Sequence, residues 1–332
     1  MADSPDPASP DSSPDRDPGG PPPSGVDVSV PHPARVRNFW LGGRDHFKAD
    51  RVTGVQLARE YPHLPELARA ERAFLVRAMR FLAGPARIRQ FLDVGSGLPA
   101  GGNTHEIAQR IVPDTGIVYV DNDPVVLAHA KALLDREGAP LDASTGGAGY
   151  GGAGYGGTGY GGAVLGGAGA VLGEAAVTGG HVNGPGPVSY IDADLRDVRA
   201  VLNGAASTLD FRRPVALIML GVLGHLTDYG AARSIISQLL AALPPGSYLA
   251  LADGVSTDDA INRAQLRFNS HADTIYDSYA DTYYLRRPDE FASFFDGLDL
   301  VEPGIVPCAK WKPDRASAAE RRAPVHCGVA RT

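Results

Sequence analysis

The pattern of apolar and polar positions alternates between two kinds of segment from about residue 31 to the end of the chain. Short runs that are almost wholly apolar predict strands buried on both faces, and longer runs with apolar residues three and four positions apart predict helices. Strands are predicted at 88–94, 116–121, 188–192, 214–220, 246–253, 298–302 and 325–330. Helices are predicted at 35–41, 48–60, 66–82, 104–111, 124–137, near Val198, at 229–243, from about Asp258 and at 290–295.

Strands that alternate with helices are typical of a parallel sheet covered by helices on both faces. The last two predicted strands follow one another without a helix, so we expect them to pair antiparallel. The pattern therefore predicts an α/β fold with a seven-stranded, doubly wound sheet, preceded by three N-terminal helices.

Two stretches differ in composition from the rest of the chain. Residues 1–30 are dominated by Pro, Asp, Ser and Gly, which bury too little apolar surface to offset the entropy lost on ordering. Residues 139–187 are rich in glycine, and a five-residue unit, GGAGY or GGTGY, repeats at 146–160. We expect a disordered tail at 1–30 and a Gly-rich surface loop at 139–187, which interrupts a domain at 85–332. The regularly spaced tyrosines leave a partner-binding role open.

Charge and composition narrow the function classes. The net charge of −7 over 332 residues is moderate and disfavours a nucleic-acid-binding surface. The sequence has neither an apolar run of about 18 residues nor a secretory signal. Its two cysteines, Cys308 and Cys327, lack the spacing of metal ligands and are expected to be reduced thiols. We therefore expect a cytoplasmic protein that has no metal site and contacts neither nucleic acid nor a membrane.

The densest candidate chemistry lies at the end of the first predicted strand, in the segment FLDVGSG. The turn formed by Gly95, Ser96 and Gly97 lets a ligand approach the backbone, and the next helix presents free N–H groups to a negative group. Asp93 is placed to accept a hydrogen bond from an ammonium group of the ligand. With Ala100 the turn also matches the dinucleotide fingerprint, so it does not by itself identify the nucleotide.

The second and third strands end in acidic residues. Asp121, with Asn122 beside it, suits the paired ribose hydroxyls that both NAD and S-adenosylmethionine (SAM) carry. Asp194 is placed to accept the exocyclic amine of adenine, while the backbone N–H of Leu195 donates to a ring nitrogen. NAD enzymes do not need this acid, so Asp194 favours SAM. The alternative is that Asp194 caps a helix that begins near Arg196.

The loop after the fourth strand would line the reactive part of the ligand. Gly221 permits a close approach of the backbone. His225 is a candidate general base, because histidine titrates near neutral pH, and the alternative is a partly buried loop histidine without a chemical role. Asp253, at the end of the fifth strand, either binds a methyl acceptor or starts the next turn.

With these motifs the sequence resembles an actinobacterial family of SAM-dependent methyltransferases, formerly a domain of unknown function. The resemblance is carried by PARVRNFWLGGRDHFKADR (33–51), RQFLDVGSGLP (89–99), VYVDNDPVVLAHA (118–130), DADLRD (192–197), RPVALIML (213–220), PPGSYLALAD (244–253) and FFDGLDLVEPGIVP (294–307). It implies a class I, Rossmann-like methyltransferase fold with SAM as the cofactor. It also implies that the helices at 31–84 form a lid over the cofactor, which Asn38 contacts.

The expected function is the transfer of a methyl group from SAM to an unidentified small-molecule acceptor. A non-catalytic SAM-binding or scaffold protein is one alternative, because the chain has Arg37 and Asn38 where the family usually has tyrosine and aspartate. An NAD-dependent oxidoreductase is the other. It would leave Asp194 without a role, and the sequence lacks the Tyr-x-x-x-Lys spacing of such enzymes.

Overall fold

The structure is a computed structural model that describes residues 22–98, 102–137, 177–179, 186–276, 282–312 and 323–332. The α-helices are α1 (Pro33–Trp40), α2 (Lys48–Glu60), α3 (His63–Ala83), α4 (Thr104–Ile111), α5 (Pro124–Glu137), α6 (Val198–Ala205), α7 (Tyr229–Ala241), α8 (Asp259–Asn269), α9 (Ala272–Tyr276) and α10 (Pro288–Ser293). The strands are β1 (Gln90–Val94), β2 (Gly116–Asp121), β3 (Val177–Gly179), β4 (Val188–Asp192), β5 (Ala216–Leu220), β6 (Tyr248–Gly254), β7 (Asp299–Leu300), β8 (Val306–Pro307) and β9 (Val325–Arg331). Short 3₁₀ turns lie at Leu223–His225 and Cys308–Lys310.

The strands form one sheet in the order β3-β4-β2-β1-β5-β6-β9-β7, and β8 also pairs with β9. β4, β2, β1, β5 and β6 run parallel, whereas β9 is antiparallel to β6 and to β7, as predicted for the last two strands. From β1 the chain first continues to β2 on one side and later to β5 on the other. In such doubly wound sheets ligands bind in the crevice at this switch point, beyond the carboxyl ends of the strands.

The described sheet differs from the predicted one by two short strands, β3 and β8. β3 lies inside the stretch 139–187, so the prediction of a loop there is wrong at Val177–Gly179, which pairs antiparallel with β4. The unpaired N–H and C=O groups along the edge of β4 explain why a three-residue segment pairs there. Most of 139–187, including the repeats at 146–160, lies outside the described residues, as do residues 1–21 of the predicted tail.

Helix α3 belongs to the core of the protein. Apolar residues recur along one face at intervals of three and four, and this face packs on the sheet. Phe74 is fully buried, and its ring meets the buried Trp311 edge-on with the ring centroids 5.3 Å apart. Because α3 is fixed in this way, α1 and α2 are the two of the three N-terminal helices that stay candidates for a mobile lid.

Helices α1 and α2 are joined by a buried ion pair. Arg35 Nε donates to Asp50 Oδ2 over 2.9 Å, and the two residues are 1% and 0% exposed. Asp50 also accepts the backbone N–H groups of His32 and Phe47. A small apolar cluster then joins this helix pair to α8 and α9; its buried members are Val36, Leu57, Tyr61, Phe268, Ala272 and Tyr276.

None of the described helices combines the length and the apolar content needed to cross a membrane.

Candidate functional site

A cavity of about 360 Å³ lies at the carboxyl ends of β1, β2, β4 and β5, within the usual size range of small-ligand pockets. Trp40 from α1, Phe268 from α8 and Tyr276 from α9 also line it. Asp253, considered for the acceptor, does not line this cavity, whereas eleven residues predicted for the site from the sequence do: Asn38, Asp93, Gly95, Ser96, Gly97, Asp121, Asn122, Asp194, Leu195, Gly221 and His225.

The glycine turn borders the crevice beside β1. Gly95 and Gly97 have φ values of +72° and +61°, in the left-handed region that favours glycine. A Cβ atom on Gly95 would lie 2.5 Å from Val222 Cγ2, whereas one on Gly97 would meet nothing within 4 Å. Gly95 thus permits close packing against the β5 loop, and Gly97 leaves its backbone open to a ligand. The buried Ser96 hydroxyl has no hydrogen-bond partner among the described residues. Ala100 lies outside them.

Asp93 lies at the end of β1 and is 7% exposed. Burial raises its pKa to about 6, although the Thr104 hydroxyl, which donates to Asp93 Oδ2 over 2.5 Å, and the charge of Arg72 oppose the shift. Arg72 comes from α3, lines the cavity and donates to Asn103 Oδ1 over 3.0 Å. A carboxylate and a guanidinium therefore line the same cavity. The sequence did not predict Arg72 as a site residue.

Asp121 links the end of β2 to the glycine turn. Its Oδ2 accepts the N–H of Gly97 over 2.9 Å, and its Oδ1 accepts the N–H of Asp123 over 3.0 Å. Burial raises the pKa of Asp121 to about 6, and these N–H groups and that of Asn122 oppose the shift. Since a carboxylate has about four lone-pair sites, it can still accept from a ligand hydroxyl. Asp123 caps the start of α5 by accepting the N–H of Val125, the role that the proline after it suggests.

Asp194 lies in the loop after β4, where its carboxylate accepts the backbone N–H of Arg196 over 2.8 Å and the Arg196 guanidinium over 2.9 Å. Asn122 Nδ2 lies 3.4 Å from Asp194 Oδ2. The capping alternative for Asp194 is wrong, because α6 begins at Val198 and its N-cap is Asp197. Asp194 instead stabilises the turn that carries Leu195 at the cavity wall.

Asp253 holds the loop after β5. It is fully buried and accepts the N–H groups of Leu223 and Gly224 and the hydroxyl of Tyr283. Burial raises the pKa of Asp253, and these donors oppose the shift. His225 lies at the end of the same loop, with its ring edge-on to Tyr283 at 5.2 Å between centroids. Asp253 therefore stabilises the loop from its buried side. Of the residues in this group, His225 was predicted to face the ligand.

Glu71 of α3 is the second cavity residue that the sequence did not predict. It is 1% exposed, and Arg37 donates to its Oε2 over 2.5 Å. Burial raises the pKa of Glu71 to about 7; the Asp253 charge adds to the shift and Arg37 opposes it. One signal was present in the sequence, because Glu71 stands four residues from Leu67 and from Leu75 on the apolar face of the helix. A charged residue is rare at such a buried position unless it is paired.

Asn38 is 1% exposed and lines the cavity from α1. Its Oδ1 accepts the backbone N–H of Asp45 over 3.0 Å, and its backbone carbonyl accepts the N–H of Gly43. Asn38 thus stabilises the connection between α1 and α2. Its contact with a cofactor stays a prediction.

In the described part of the chain, no cluster of His, Cys, Asp and Glu side chains is arranged to hold a metal ion. Cys308 and Cys327 are both buried thiols.

The chain is similar to known proteins over most of its length. The family model of S-adenosyl methyltransferases matches residues 20–141 and 173–332. A DUF574 family protein from Streptomyces avermitilis is 32% identical, with 92% of this chain and 99% of that chain covered and a TM-score of 0.69. A candidate methyltransferase from Thermobifida fusca is also 32% identical, with 94% and 98% covered and a TM-score of 0.69. No curated protein matches the sequence.

Proposed function

We propose, starting from the fact that the chain belongs to the S-adenosyl methyltransferase family, that it transfers a methyl group from SAM to a small-molecule acceptor. The family, the class I Rossmann-like fold and SAM as the cofactor were predicted from the sequence and are confirmed. The catalytic activity and the class of acceptor are the proposal. The observation that carries it is that all eleven predicted residues line one cavity at the switch point of the sheet.

The polar groups of the cavity fit the parts of SAM. We assign Asp121 to the ribose hydroxyls, and Asp194 with the N–H of Leu195 to the adenine ring. Asp93 and Arg72 offer a negative and a positive group to the ammonium and carboxylate of the methionine part. The open backbone at Gly97 and the buried Ser96 hydroxyl without a protein partner support a ligand in this position.

SAM supplies a methyl group already activated by a positive sulfur, so the protein has to position the acceptor and exclude water. The side chains of Trp40, Phe268 and Tyr276 provide an apolar cover for the crevice. We propose that α1 and α2 act as the lid, opening together because Arg35 and Asp50 join them.

A small molecule is the acceptor that the cavity of about 360 Å³ and the moderate net charge of −7 favour. We propose a cytoplasmic enzyme that acts on neither nucleic acid nor membrane lipid, with His225 as a candidate catalytic group at the loop after β5.

The test combines titration calorimetry and turnover. We expect SAM and S-adenosylhomocysteine (SAH) to bind, NAD not to bind, and a metabolite pool to yield a methylated product. Binding of SAM without turnover on any pool would favour the scaffold alternative, and binding of NAD alone would favour the oxidoreductase. Asp121→Ala should weaken SAM binding, whereas Asp296→Ala, at an exposed carboxylate paired with Arg233, is the matched control.

A further inference from the structure

The carboxylate of Glu71 is incompletely satisfied at the cavity. Its Oε2 accepts a hydrogen bond from Arg37, but its Oε1 is buried and has no hydrogen-bond partner among the described residues. A buried charged oxygen without a donor costs free energy. The Oε1 atom is therefore an acceptor that lacks a donor in the described part of the chain, and an N–H or O–H group of a ligand in the cavity would satisfy it.

The position of Glu71 in the fold places its carboxylate at the ligand crevice. The carboxylate lies against Gly221, where an added Cβ atom would be 2.7 Å from Glu71 Oε2. Gly221 directly follows β5, the neighbour of β1 at the switch point, so Glu71 lies over the crevice itself. Leu67 and Leu75 line the cavity one helical turn to either side of Glu71, and their apolar side chains strengthen electrostatic interactions there.

We propose that Glu71 accepts the proton of the methyl acceptor, and that the acceptor is therefore an amine or hydroxyl compound that binds with this proton in place. This inference rests on the proposed function. The acceptor's nitrogen or oxygen lone pair forms the bond to the methyl carbon, and the carbon–sulfur bond breaks with its electron pair passing to sulfur. The N–H or O–H proton passes to Glu71 Oε1, while Arg37 holds Oε2. The neutral carboxyl group then loses the proton to water when the product leaves.

Other ionisable groups near the crevice are less suited to this role. Asp253 is occupied by the hydroxyl of Tyr283 and three backbone N–H groups, and it does not line the cavity. Asp93 accepts the Thr104 hydroxyl. Glu71 has a pKa raised to about 7 by burial, which leaves an appreciable fraction ionised at neutral pH and able to take up a proton.

The charge of the cofactor provides a first test that does not need the acceptor. SAM carries a positive sulfur and SAH does not, so an ionised carboxylate near the sulfur favours SAM. We expect the ratio of the SAH to the SAM dissociation constant to rise about threefold or more between about pH 6 and about pH 8. We expect it to stay constant in Glu71→Gln. Asp93 and Asp121, assigned to parts that SAM and SAH share, should largely cancel in this ratio.

The charged and titratable groups around Glu71 supply the controls. Arg37 faces it from α1, Asp253 from β6 and Tyr283 from the loop before α10, and His225 lines the same cavity against the Tyr283 ring. In His225→Gln the pH dependence of the ratio should persist. In Arg37→Gln it should move to higher pH, because Arg37 lowers the pKa of Glu71. If Glu71→Gln fails to fold, the pH dependence of the ratio in the wild type and in Arg37→Gln still tests the inference.

A constant ratio in the wild type would overturn the inference while leaving cofactor binding intact. An equal loss of SAM and SAH affinity in Glu71→Gln would also overturn it, because Glu71 would then hold the ammonium group common to both. If the wild type binds neither SAM nor SAH, the proposed function itself fails.

The second test uses whichever acceptor the metabolite screen identifies. We expect an amine or hydroxyl compound. We expect kcat for Glu71→Gln to fall about 100-fold or more, whereas its affinity for SAM falls only by the roughly threefold that the ionised carboxylate contributes. In the wild type kcat should rise with pH and level off at a pH below about 7, because kcat reports the SAM complex, where the positive sulfur lowers the pKa of Glu71 from its ligand-free value of about 7. Unchanged kcat in Glu71→Gln, or an acceptor without a transferable proton, would contradict the inference.

Discussion

The backbone N–H of Gly97 donates a hydrogen bond to Asp121 Oδ2 over 2.9 Å, so the carboxylate at the end of β2 and the turn after β1 hold each other in place. Asp121 also accepts the N–H of Asp123 at the start of α5. The residue assigned to the ribose is therefore part of the framework that shapes the cavity. A substitution there should affect both ligand affinity and stability.

Asp121→Ala should weaken SAH binding by about 1–3 kcal/mol and lower the free energy of unfolding by about 1 kcal/mol, because ligand hydroxyls and backbone N–H groups both lose an acceptor. Calorimetric titration and urea unfolding measure the two effects separately. Asp121→Asn keeps a side-chain oxygen and should lose less of both. An Asp121→Ala variant with wild-type affinity would remove Asp121 from the cofactor site.

The sequence predicted that the residues at the strand ends lie together, because the carboxyl ends of parallel strands meet at one edge whatever the details of packing; their roles toward a ligand stay predictions. It predicted the bounds of α2, α4 and α5, whose apolar periodicity and end signals agree. It did not reveal Arg37, Glu71 and Arg72 as a group. Their meeting at the cavity depends on how α1 and α3 pack over the sheet, which residue spacing along one helix does not determine.

The pH dependence of stability should reflect the buried carboxylates. Burial raises the pKa of Asp93 and Asp121 from 3.8 to about 6 and that of Glu71 from 4.5 to about 7. The folded state thus holds these protons more tightly than the unfolded state. Their contribution to stability is fully present below about pH 4 and is lost as pH rises to about 7, at about 1.4 kcal/mol per unit of pKa shift.

Urea unfolding of the ligand-free protein at about pH 5 and about pH 7.5 tests this sign. Glu71→Gln lacks the titrating group, so it should lose less stability than the wild type between the two pH values. An identical pH dependence in the two proteins would show that Glu71 titrates at its ordinary pKa. Asp296→Asn, at an exposed carboxylate, should follow the wild-type curve.

The buried pair between Arg35 and Asp50 should be important for stability. Asp50→Ala leaves the Arg35 guanidinium uncompensated in a site that is 1% exposed, so we expect a loss of about 3–5 kcal/mol in the free energy of unfolding. Asp289→Ala removes one of the two acidic partners of Arg287 in an exposed cluster and should cost at most about 1 kcal/mol. Comparable losses in the two variants, measured by urea unfolding, would contradict the assignment of the first pair as buried.

The proposed lid predicts a local change when the cofactor product binds. Amide exchange across residues 35–50 should slow on addition of SAH, whereas exchange in the core part of α3 should not change. Asn38→Ala should weaken SAH binding without unfolding the domain, although its bond to the Asp45 N–H is lost. If amide exchange in this region is already slow without ligand and does not change, α1 and α2 are packed permanently on the domain and do not act as a lid.

The Gly-rich stretch should be dispensable up to, but not including, β3. The family model matches residues up to 141 and again from 173, so the part between them is not needed for the match. Replacing 142–172 with a short Gly/Ser linker should leave the melting temperature within about 5 °C of the wild type, on the order of 1 kcal/mol, since long surface insertions cost little closure entropy.

Extending the replacement to 142–186 should be more damaging. It removes β3, which pairs with β4 next to Tyr190, a residue that lines the cavity. It also removes Gly186, whose N–H donates to the Pro113 carbonyl and whose own carbonyl accepts from Gln109 Nε2 over 2.8 Å. Thermal unfolding and SAH titration of the two variants side by side measure the difference. Equal melting temperatures and affinities would show that β3 adds nothing to the sheet, and the boundary of the dispensable stretch would then move to Gly186.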